Sequence, residues 1–594
     1  DTGNYNTAIG TASMCFNTIG NLNTSIGSKS LENNIDGNEN IAIGTQTLFN
    51  NIAGYQNIAI GNNSLFNSNS NLNTAVGHNS LYTTIDGINN IAVGNNSLQY
   101  NTGSNNTAIG HLSLQGQESN DNTGSNNTAI GTSSLAINTT GYENIAVGSS
   151  SLASNTTGAN NVAIGNDSLV NNESGTQNVA IGTYSLASNI IGGQNTAIGY
   201  QALQTNTATG NTAVGRLALQ ANTTGTNNCA LGNLALYNNT SGVNNIAVGA
   251  SALANNTSGA RNIAIGWEAL VKNDSGVENV AVGSESLEAN IIGNYNTAIG
   301  YQALQKNTAT GNTAVGRLAL QANTTGTNNC ALGNLALYNN TSGVNNIAVG
   351  ASALANNTSG ARNIAIGWEA LVKNDSGVEN VAVGSESLEA NIIGNYNTAI
   401  GYQALQKNTA TGNTAVGRLA LNINTTGTEN VAVGFDSLAN NISGVRNTAI
   451  GYQSLLNNTA NNNTAVGGMA LQENTTGIEN VAVGAYSSSS NTEGGQNTAI
   501  GYQSLQNNIS GGGNCAIGRR TLQSNTSGGG NCALGNITLH MNIDGEDNTG
   551  LGTSNLTSNT SGHRNIAIGV GNLKSNMLGN NNIAIGHQTL ETNV

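Results

Sequence analysis

The chain lacks proline and is poor in aromatic and charged residues. Its 594 residues include no Pro, 4 Phe, 2 Trp and 16 Tyr, and only 7% of them are Asp, Glu, Lys or Arg. Several ordinary globular domains would need larger aromatic cores. Collagen needs glycine at every third residue and abundant proline. A membrane-spanning helix needs about 18 or more consecutive apolar residues. The sequence fits none of these three classes.

Basic residues are also scarce. The 15 Lys and Arg against 29 Asp and Glu give a net charge of -14, so nothing is available to hold a phosphate backbone and nucleic-acid binding is not expected. Disordered chains are typically rich in Pro, Glu and Lys, whereas here Pro is absent and Ile and Val recur throughout. The composition indicates a polar, ordered and repetitive chain.

One short repeat fills the whole chain. Its consensus is N-[TIVC]-A-[IVL]-G-x-x-[SA]-L-x-x-N-x-x-G-x-x, and its positions are numbered 1 to 17 from the opening Asn. There are 35 copies between Asn6 and Asn582, separated by 27 steps of 17 residues, six of 16 and one of 21. Residues 1–594 are therefore interpreted as a single continuous array, in which residues 195–295 recur as 296–396 with Thr205 replaced by Lys306.

The repeat predicts an all-β parallel β-solenoid of about 35 coils of 17 residues. Seventeen residues are too few for a helical repeat, while β-branched residues at positions 2 and 4 and Gly at positions 5 and 15 favour a β-coil. We expect a strand at positions 1 to 4, a second strand around Leu at position 9, and a positive φ at Gly 15. At about 4.8 Å per coil the array predicts a rod of roughly 160 Å.

Alternation along the first strand separates its two faces. We expect the β-branched residues of positions 2 and 4 to point into the coil with Leu 9, and Ala 3 to point outward. Position 3 departs from Ala only at Ser25 and Gly550, and position 9 departs from Leu only at Met14 and Ser488. An outward face of small residues predicts a contact between chains or between sheets, and stacking predicts a ladder of the Asn side chains of position 1.

The string NTAIGYQAL at residues 195–203 and its 34 variants resemble two families. They are similar to the S-x-A-I-G-x-x-A repeats of YadA-like trimeric adhesin heads, and more closely to the N-T-A-I-G repeats of surface and tail-fibre proteins. The resemblance implies a left-handed parallel β-roll, packing of three identical chains, and a location outside the cell or on the surface of a cell or virion.

No catalytic, cofactor-binding or metal-binding residue is predicted. The five His have no metal-ligand spacing, and no Ser, His and acid constellation is discernible. Four of the five Cys fall at position 2 and are interpreted as small buried side chains, with Cys515 and Cys532 in contact but not bonded. The Asp of the I-D-G strings is interpreted as a turn former rather than a calcium ligand. These His and Asp residues are His78, His111, His540, His563, His587, Asp36, Asp86 and Asp544.

Two features leave a binding role open. The 21-residue coil that begins at Asn106 carries extra residues from Gly116 to Asp121, and an insertion on a regular solenoid is either a binding loop or a tolerated turn. Tyrosines that follow Gly 5 offer either a carbohydrate-stacking surface or plain surface decoration, with the copies far apart; they are Tyr200, Tyr301, Tyr402, Tyr452 and Tyr502.

The sequence favours a structural or adhesive extracellular fibre shaft, such as a surface adhesin, a tail fibre or a filament subunit. Its expected partners are copies of itself, as a homotrimer or an end-to-end filament, and a surface receptor or glycan. The alternatives are a glycan-binding or ice-binding solenoid and, behind it, a carbohydrate-active β-helix enzyme. An ice-binding face would need a regular outward array of Thr, and an enzyme would need a cluster of carboxylates.

Overall fold

The computed structural model describes residues 3–100, 102–118 and 122–592, which contain β-strands and turns but no helix. They form two units, Asp1–Asn296 and Thr297–Val594. In each unit successive strands pair in parallel and in register, one strand per repeat, as in Ala163 opposite Ala180. The predicted all-β parallel β-solenoid is confirmed.

The described residues of the first unit form 17 strands. They are β1 Thr7–Ile9, β2 Thr24–Ile26, β3 Ile41–Ile43, β4 Ile58–Ile60, β5 Thr74–Val76, β6 Ile91–Val93, β7 Thr107–Ile109, β8 Thr128–Ile130, β9 Ile145–Val147, β10 Val162–Ile164, β11 Val179–Ile181, β12 Thr196–Ile198, β13 Thr212–Val214, β14 Cys229–Leu231, β15 Ile246–Val248, β16 Ile263–Ile265 and β17 Val280–Val282.

In the second unit, the part of the chain that the structure describes forms 18 strands. They are β18 Thr297–Ile299, β19 Thr313–Val315, β20 Cys330–Leu332, β21 Ile347–Val349, β22 Ile364–Ile366, β23 Val381–Val383, β24 Thr398–Ile400, β25 Thr414–Val416, β26 Val431–Val433, β27 Thr448–Ile450, β28 Thr464–Val466, β29 Val481–Val483, β30 Thr498–Ile500, β31 Cys515–Ile517, β32 Cys532–Leu534, β33 Thr549–Thr553, β34 Ile566–Val570 and β35 Ile583–His587.

Leu 9 lies in a run of turns, so the predicted second strand is wrong. In the coil that begins at Asn144, Ser150 at position 7 and Leu152 at position 9 have φ of 53° and 54°, the left-handed region that costs a non-Gly residue about 1 to 2 kcal/mol. Backbone bonding between coils offsets this cost: the Leu152 N–H donates to the Ser168 carbonyl of the next coil at 3.0 Å. The turns therefore bond along the stack as the strands do.

The glycine of position 15 has a different role from the one predicted. Gly158 does not have a positive φ, whereas Gly148 at position 5 does, at 131°. A Cβ on Gly158 would lie 2.5 Å from the carbonyl oxygen of Gly175 in the next coil. Position 15 therefore needs glycine because neighbouring coils approach closely there.

Each unit contains two ladders of buried Asn side chains, one at position 1 and an interrupted one at position 12. In the first, Asn144 Nδ2 donates to the Gly158 carbonyl at 2.8 Å, and Asn144 Oδ1 accepts the backbone N–H of Asn161 in the next coil at 3.0 Å. In the second, Asn155 at position 12 donates to the same Gly158 carbonyl at 3.0 Å and to Asn138 Oδ1 at 2.8 Å. The predicted ladder at position 1 is confirmed, and the ladder at position 12 is an addition to it.

Candidate functional site

The strand presents its β-branched residues to the outside, so the predicted orientation is wrong. Ala146 at position 3 is fully buried, whereas Ile145 at position 2 is 42% exposed. A Cβ on Gly550, which stands in place of Ala 3, would clash with the side chain of Thr538 at position 8 and lie 3.7 Å from Leu539 Cδ1. The interior is therefore filled by positions 8 and 9 and holds at most a methyl group at position 3. The predicted contact between chains through Ala 3 is wrong for the same reason.

The outward side chains of positions 2 and 4 form the strand face, which is one side of the parallel sheet in each unit. Position 2 holds Thr, Ile, Val or Cys and position 4 holds Ile, Val or Leu, so no strand among the described residues brings a charge to this face. Ile246 and Ile265 are each 40% exposed, and their counterparts in the second unit, Ile347 and Ile366, are equally so. Exposed apolar areas of this extent mark interaction sites.

The four Cys of position 2 also lie on the strand face, half-buried, so the interpretation of buried side chains is wrong. Cys515 and Cys532 are register partners in β31 and β32, and both are free thiols, as expected. Partial burial is the main cause that raises the pKa of the Cys515 thiol, and the neighbouring Cys532 raises this pKa further. A raised pKa lowers the thiolate fraction at neutral pH and makes Cys515 a poor nucleophile.

A second row of exposed side chains follows Gly 5 at position 6. In the second unit Arg418 lies 5.9 Å from the ring centre of Tyr402 and 5.1 Å from that of Phe435, and Phe435 stacks on Tyr452 at 5.7 Å. These four residues stand in consecutive coils. Tyr402 and Tyr452, which are far apart in sequence, are thus linked by Arg418 and Phe435, two residues that sequence reasoning did not single out.

The 21-residue coil borders a groove in the first unit, which we call the aromatic groove. It has a volume of about 800 Å³ and is lined by Asn50, Asn67, Asn69, Tyr82, Thr83, Ile85, Tyr100, Thr102 and Glu118. Glu118 belongs to the predicted insertion, and the inserted Ser119, Asn120 and Asp121 lie outside the described residues. The structure thus places part of the insertion beside a cavity.

Two carboxylates meet in the second unit. Gln406 Nε2 donates to Glu386 at 2.8 Å and to Glu389 at 2.9 Å, and Lys373 Nζ lies 2.8 Å from Glu389 Oε1. The hydrogen bond from Lys373 is the main cause that lowers the pKa of Glu389. A glycosidase needs one carboxyl group with a raised pKa as its general acid, so the shift at Glu389 is opposite to the one that this chemistry requires.

Across the described ranges, no group of three or more His, Cys, Asp and Glu side chains is placed to hold a metal ion. Asp36, Asp86 and Asp544 occupy position 14, in the bend before Gly 15. The described part of the chain also contains no apolar helix of the length that a membrane span needs.

A comparison with protein-family models and with curated proteins finds no match to the chain.

Proposed function

We propose that the chain is the shaft of an extracellular structural or adhesive fibre and not an enzyme. The observation that carries this proposal is the continuity of bonding around every part of the coil. Strands, turns and the position 1 ladder bond from coil to coil, as at Asn144, and the position 12 ladder adds bonds between most coils, as at Asn155. An array held in this way can be lengthened by whole repeats, which suits the near-identical blocks 195–295 and 296–396.

The strand face supports a second part of the proposal, which is association with identical copies of the chain in a homotrimer. With three residues at about 3.3 Å each and strands about 4.8 Å apart, the 17 strands of the first unit give a footprint of roughly 800 Å². A standard interface buries about 800 Å² per partner. The rows of positions 2 and 4 keep one register throughout the unit, so identical chains present matching surfaces.

The resemblance to trimeric adhesin heads and N-T-A-I-G fibre repeats points the same way, since those proteins act outside the cell or virion. An end-to-end filament is the alternative assembly. In either case the partner is another copy of the chain, and the receptor is a molecule of a surface that the fibre meets.

Solution mass tests the association. We expect a particle of about three times the chain mass of 60.0 kDa by light scattering. Lysines at position 2 of three adjacent coils, Ile246→Lys, Ile263→Lys and Val280→Lys, should reduce the mass to that of one chain while the circular dichroism is retained, because charges on a desolvated face lack partners. The matched control places three lysines at exposed position 14 of the same stretch of chain, in Ser241→Lys, Ser258→Lys and Ser275→Lys. A monomeric parent chain, or equal dissociation in both variants, would contradict the proposal.

The strand face has one of the two features that ice binding needs, which is outward Thr side chains, but it does not repeat them regularly. The Thr of position 2 point outward, contrary to expectation, but no more than two consecutive strands carry Thr at this position before Ile, Val or Cys interrupts. An ice-binding face would need a regular array, so we expect no thermal hysteresis from the chain at concentrations at which it remains soluble.

A further inference from the structure

The aromatic groove stands at the end of a stack of rings. Phe49, Phe66 and Tyr82 occupy position 10 of three adjacent coils, with ring centres 5.1 Å apart and planes inclined by 5° and 6°. In the next coil Gln99 takes this position, so the stack ends at Tyr82. One face of the Tyr82 ring is covered by Phe66, and the ring lines the groove.

A second aromatic residue of the groove is held by hydrogen bonds. Gln99 Nε2 donates to the Tyr100 hydroxyl at 3.2 Å, and Gln115 Nε2 donates to Gln99 Oε1 at 2.8 Å. These bonds fix the end of the Tyr100 side chain beside the groove. Tyr82 and Tyr100 thus provide two positioned rings with polar tips, a combination that gives large contact area at a low entropy cost.

The inserted coil is anchored at the same place. Asn122, which is 1% exposed, donates from Nδ2 to the Tyr100 carbonyl at 3.0 Å and also to the Gln117 carbonyl. Asn122 therefore ties Gln117 to the coil that carries Tyr100, and Glu118 lines the groove. Glu118 of the insertion therefore forms part of the wall of the cavity.

The remaining lining is neutral and rich in hydrogen-bonding groups. Asn50 Nδ2 donates to Asn67 Oδ1 at 2.7 Å, and this ladder stops at Asn67 because Thr83 stands at the same position of the next coil. Amides and hydroxyls beside aromatic rings match a ligand that has both hydroxyl groups and an apolar ring face. Among the described lining residues Glu118 carries the charge, which opposes a negatively charged ligand.

We propose that the aromatic groove binds a neutral carbohydrate, with sugar rings packed against Tyr82 and Tyr100 and hydroxyl groups bonded to Asn67, Thr83 and Glu118. The proposal deepens the adhesive part of the proposed function, because it gives the fibre a receptor class and a place for it. Glu118 makes sialylated and sulfated glycans the wrong ligands.

Glycan-array binding of the whole chain is the first test, with neutral, sialylated and sulfated oligosaccharides as probes. We expect retention of neutral oligosaccharides and weaker retention of the two acidic classes. Binding to none of them, or stronger binding to the acidic classes, would overturn the proposal.

Calorimetric titration with the best retained neutral oligosaccharide locates the site. Tyr100→Ala should weaken affinity about tenfold or more, the equivalent of one lost aromatic contact and one hydrogen bond. Tyr200→Ala is the matched control, since Tyr200 is 46% exposed and lies outside the groove. Equal losses in the two variants would place the sugar elsewhere and overturn the proposal, provided that both retain the parent's circular dichroism.

Glu118→Gln tests the charge without removing the side chain. The ratio of the affinity for the neutral oligosaccharide to that for its sialylated form should fall severalfold in the variant, because the repulsion of the acidic sugar is gone. An unchanged preference would contradict the role given to Glu118. The two proposals can be contradicted separately. A chain that forms the oligomer but binds no glycan contradicts the groove proposal alone. A monomeric chain that binds the glycan contradicts the trimer proposal alone.

Discussion

At the scale of single residues, the Asn of position 1 is explained by its bonding. Asn161 donates its backbone N–H and its Nδ2 to Asn144 Oδ1, at 3.0 and 3.1 Å, and Nδ2 also donates to the Gly175 carbonyl at 2.9 Å. The side chain of aspartate has no N–H donor, and the side chain of glutamine is longer by one methylene group. An uncharged side chain with donor and acceptor at this length is what the buried ladder requires.

The ladder at position 12 is interrupted where the chain enters a 16-residue coil. Asn189 Nδ2 donates to Asn172 Oδ1 and to the Gly192 carbonyl, both at 2.9 Å, but among the described residues Asn189 Oδ1 accepts no hydrogen bond. The following coil, which begins at Asn195, is one residue shorter, and its Asn206 donates to Ala208 instead. Asn51, Asn391 and Asn441 precede 16-residue coils and share this feature.

This difference predicts unequal costs of two equivalent substitutions. Asn155→Ala removes hydrogen bonds to both neighbouring coils and to Gly158, whereas Asn189→Ala removes bonds on one side and to Gly192 only. We expect Asn155→Ala to lower the free energy of local unfolding by roughly 1 kcal/mol more than Asn189→Ala. Hydrogen exchange of the amides in the adjacent coils measures this difference, and equal costs would contradict it.

The inverted strand faces predict opposite outcomes for neighbouring residues. Ala264 is fully buried and Ile265 is 40% exposed. Ala264→Glu places an unpaired charge in the core and should cost several kcal/mol, enough to unfold its coil. Ile265→Glu should leave the coil folded and affect association only. Limited proteolysis and circular dichroism report folding, and light scattering reports mass. A folded Ala264→Glu variant would show that position 3 is not in the core.

At the scale of the coil, two glycines of one repeat give a matched pair. A Cβ on Gly477 at position 15 would lie 2.5 Å from Asn474 Oδ1 and also against the Gly494 carbonyl, whereas a Cβ on Gly468 at position 6 would have nothing within 4 Å. Neither has a positive φ. Gly477→Ala should therefore lower the melting temperature clearly, and Gly468→Ala should leave it unchanged or raise it slightly. Scanning calorimetry checks both, and equal melting temperatures would refute the close approach at position 15.

The repeat was sufficient to predict the strand, the position 1 ladder and the core Leu, because these depend on spacing alone. Alternation separates two faces without saying which one is inside. The deciding signal was in the variation among copies: position 2 accepts Thr, Ile, Val and Cys, while position 3 accepts little besides Ala. Tolerance of this kind indicates an exposed row, and restriction to a methyl group indicates a narrow core.

Two other features left no readable signal. Leucine favours neither turns nor positive φ, so the left-handed Leu152 could be known only from the coil. The sequence predicted one part of the aromatic groove, because the 21-residue step between repeats marked the insertion. Its other wall, Tyr82 and Tyr100, comes from the two preceding coils, and only the stacking register brings these rings beside Glu118.

For the protein as a whole, cohesion rests on neutral groups. Ion pairs such as Arg261 with Glu278, at 2.8 Å, lie at the surface with half-exposed side chains, and such pairs contribute about 0 to 1 kcal/mol each. We therefore expect the melting temperature to change by no more than a few degrees between low salt and about 1 M NaCl, where surface charges are screened. A large fall in the melting temperature at high salt would contradict a fold held by amide ladders.

Acidic pH should change the stability of the fold only slightly, and the pKa shift of Glu389 makes this change a decrease. Because Lys373 lowers the pKa of this carboxyl group in the folded state, the pair stabilises the fold above the ordinary Glu pKa of about 4.3. That contribution is lost as pH falls through the lowered pKa of the folded state. Glu389 is 23% exposed and Lys373 is 54% exposed, so the loss is below about 1 kcal/mol. Thermal unfolding between pH 3 and about pH 8 should show a shallow decline at the acid end, reduced in Glu389→Gln. Unfolding that already begins near about pH 6 would instead require buried ionised groups that the Asn ladders do not contain.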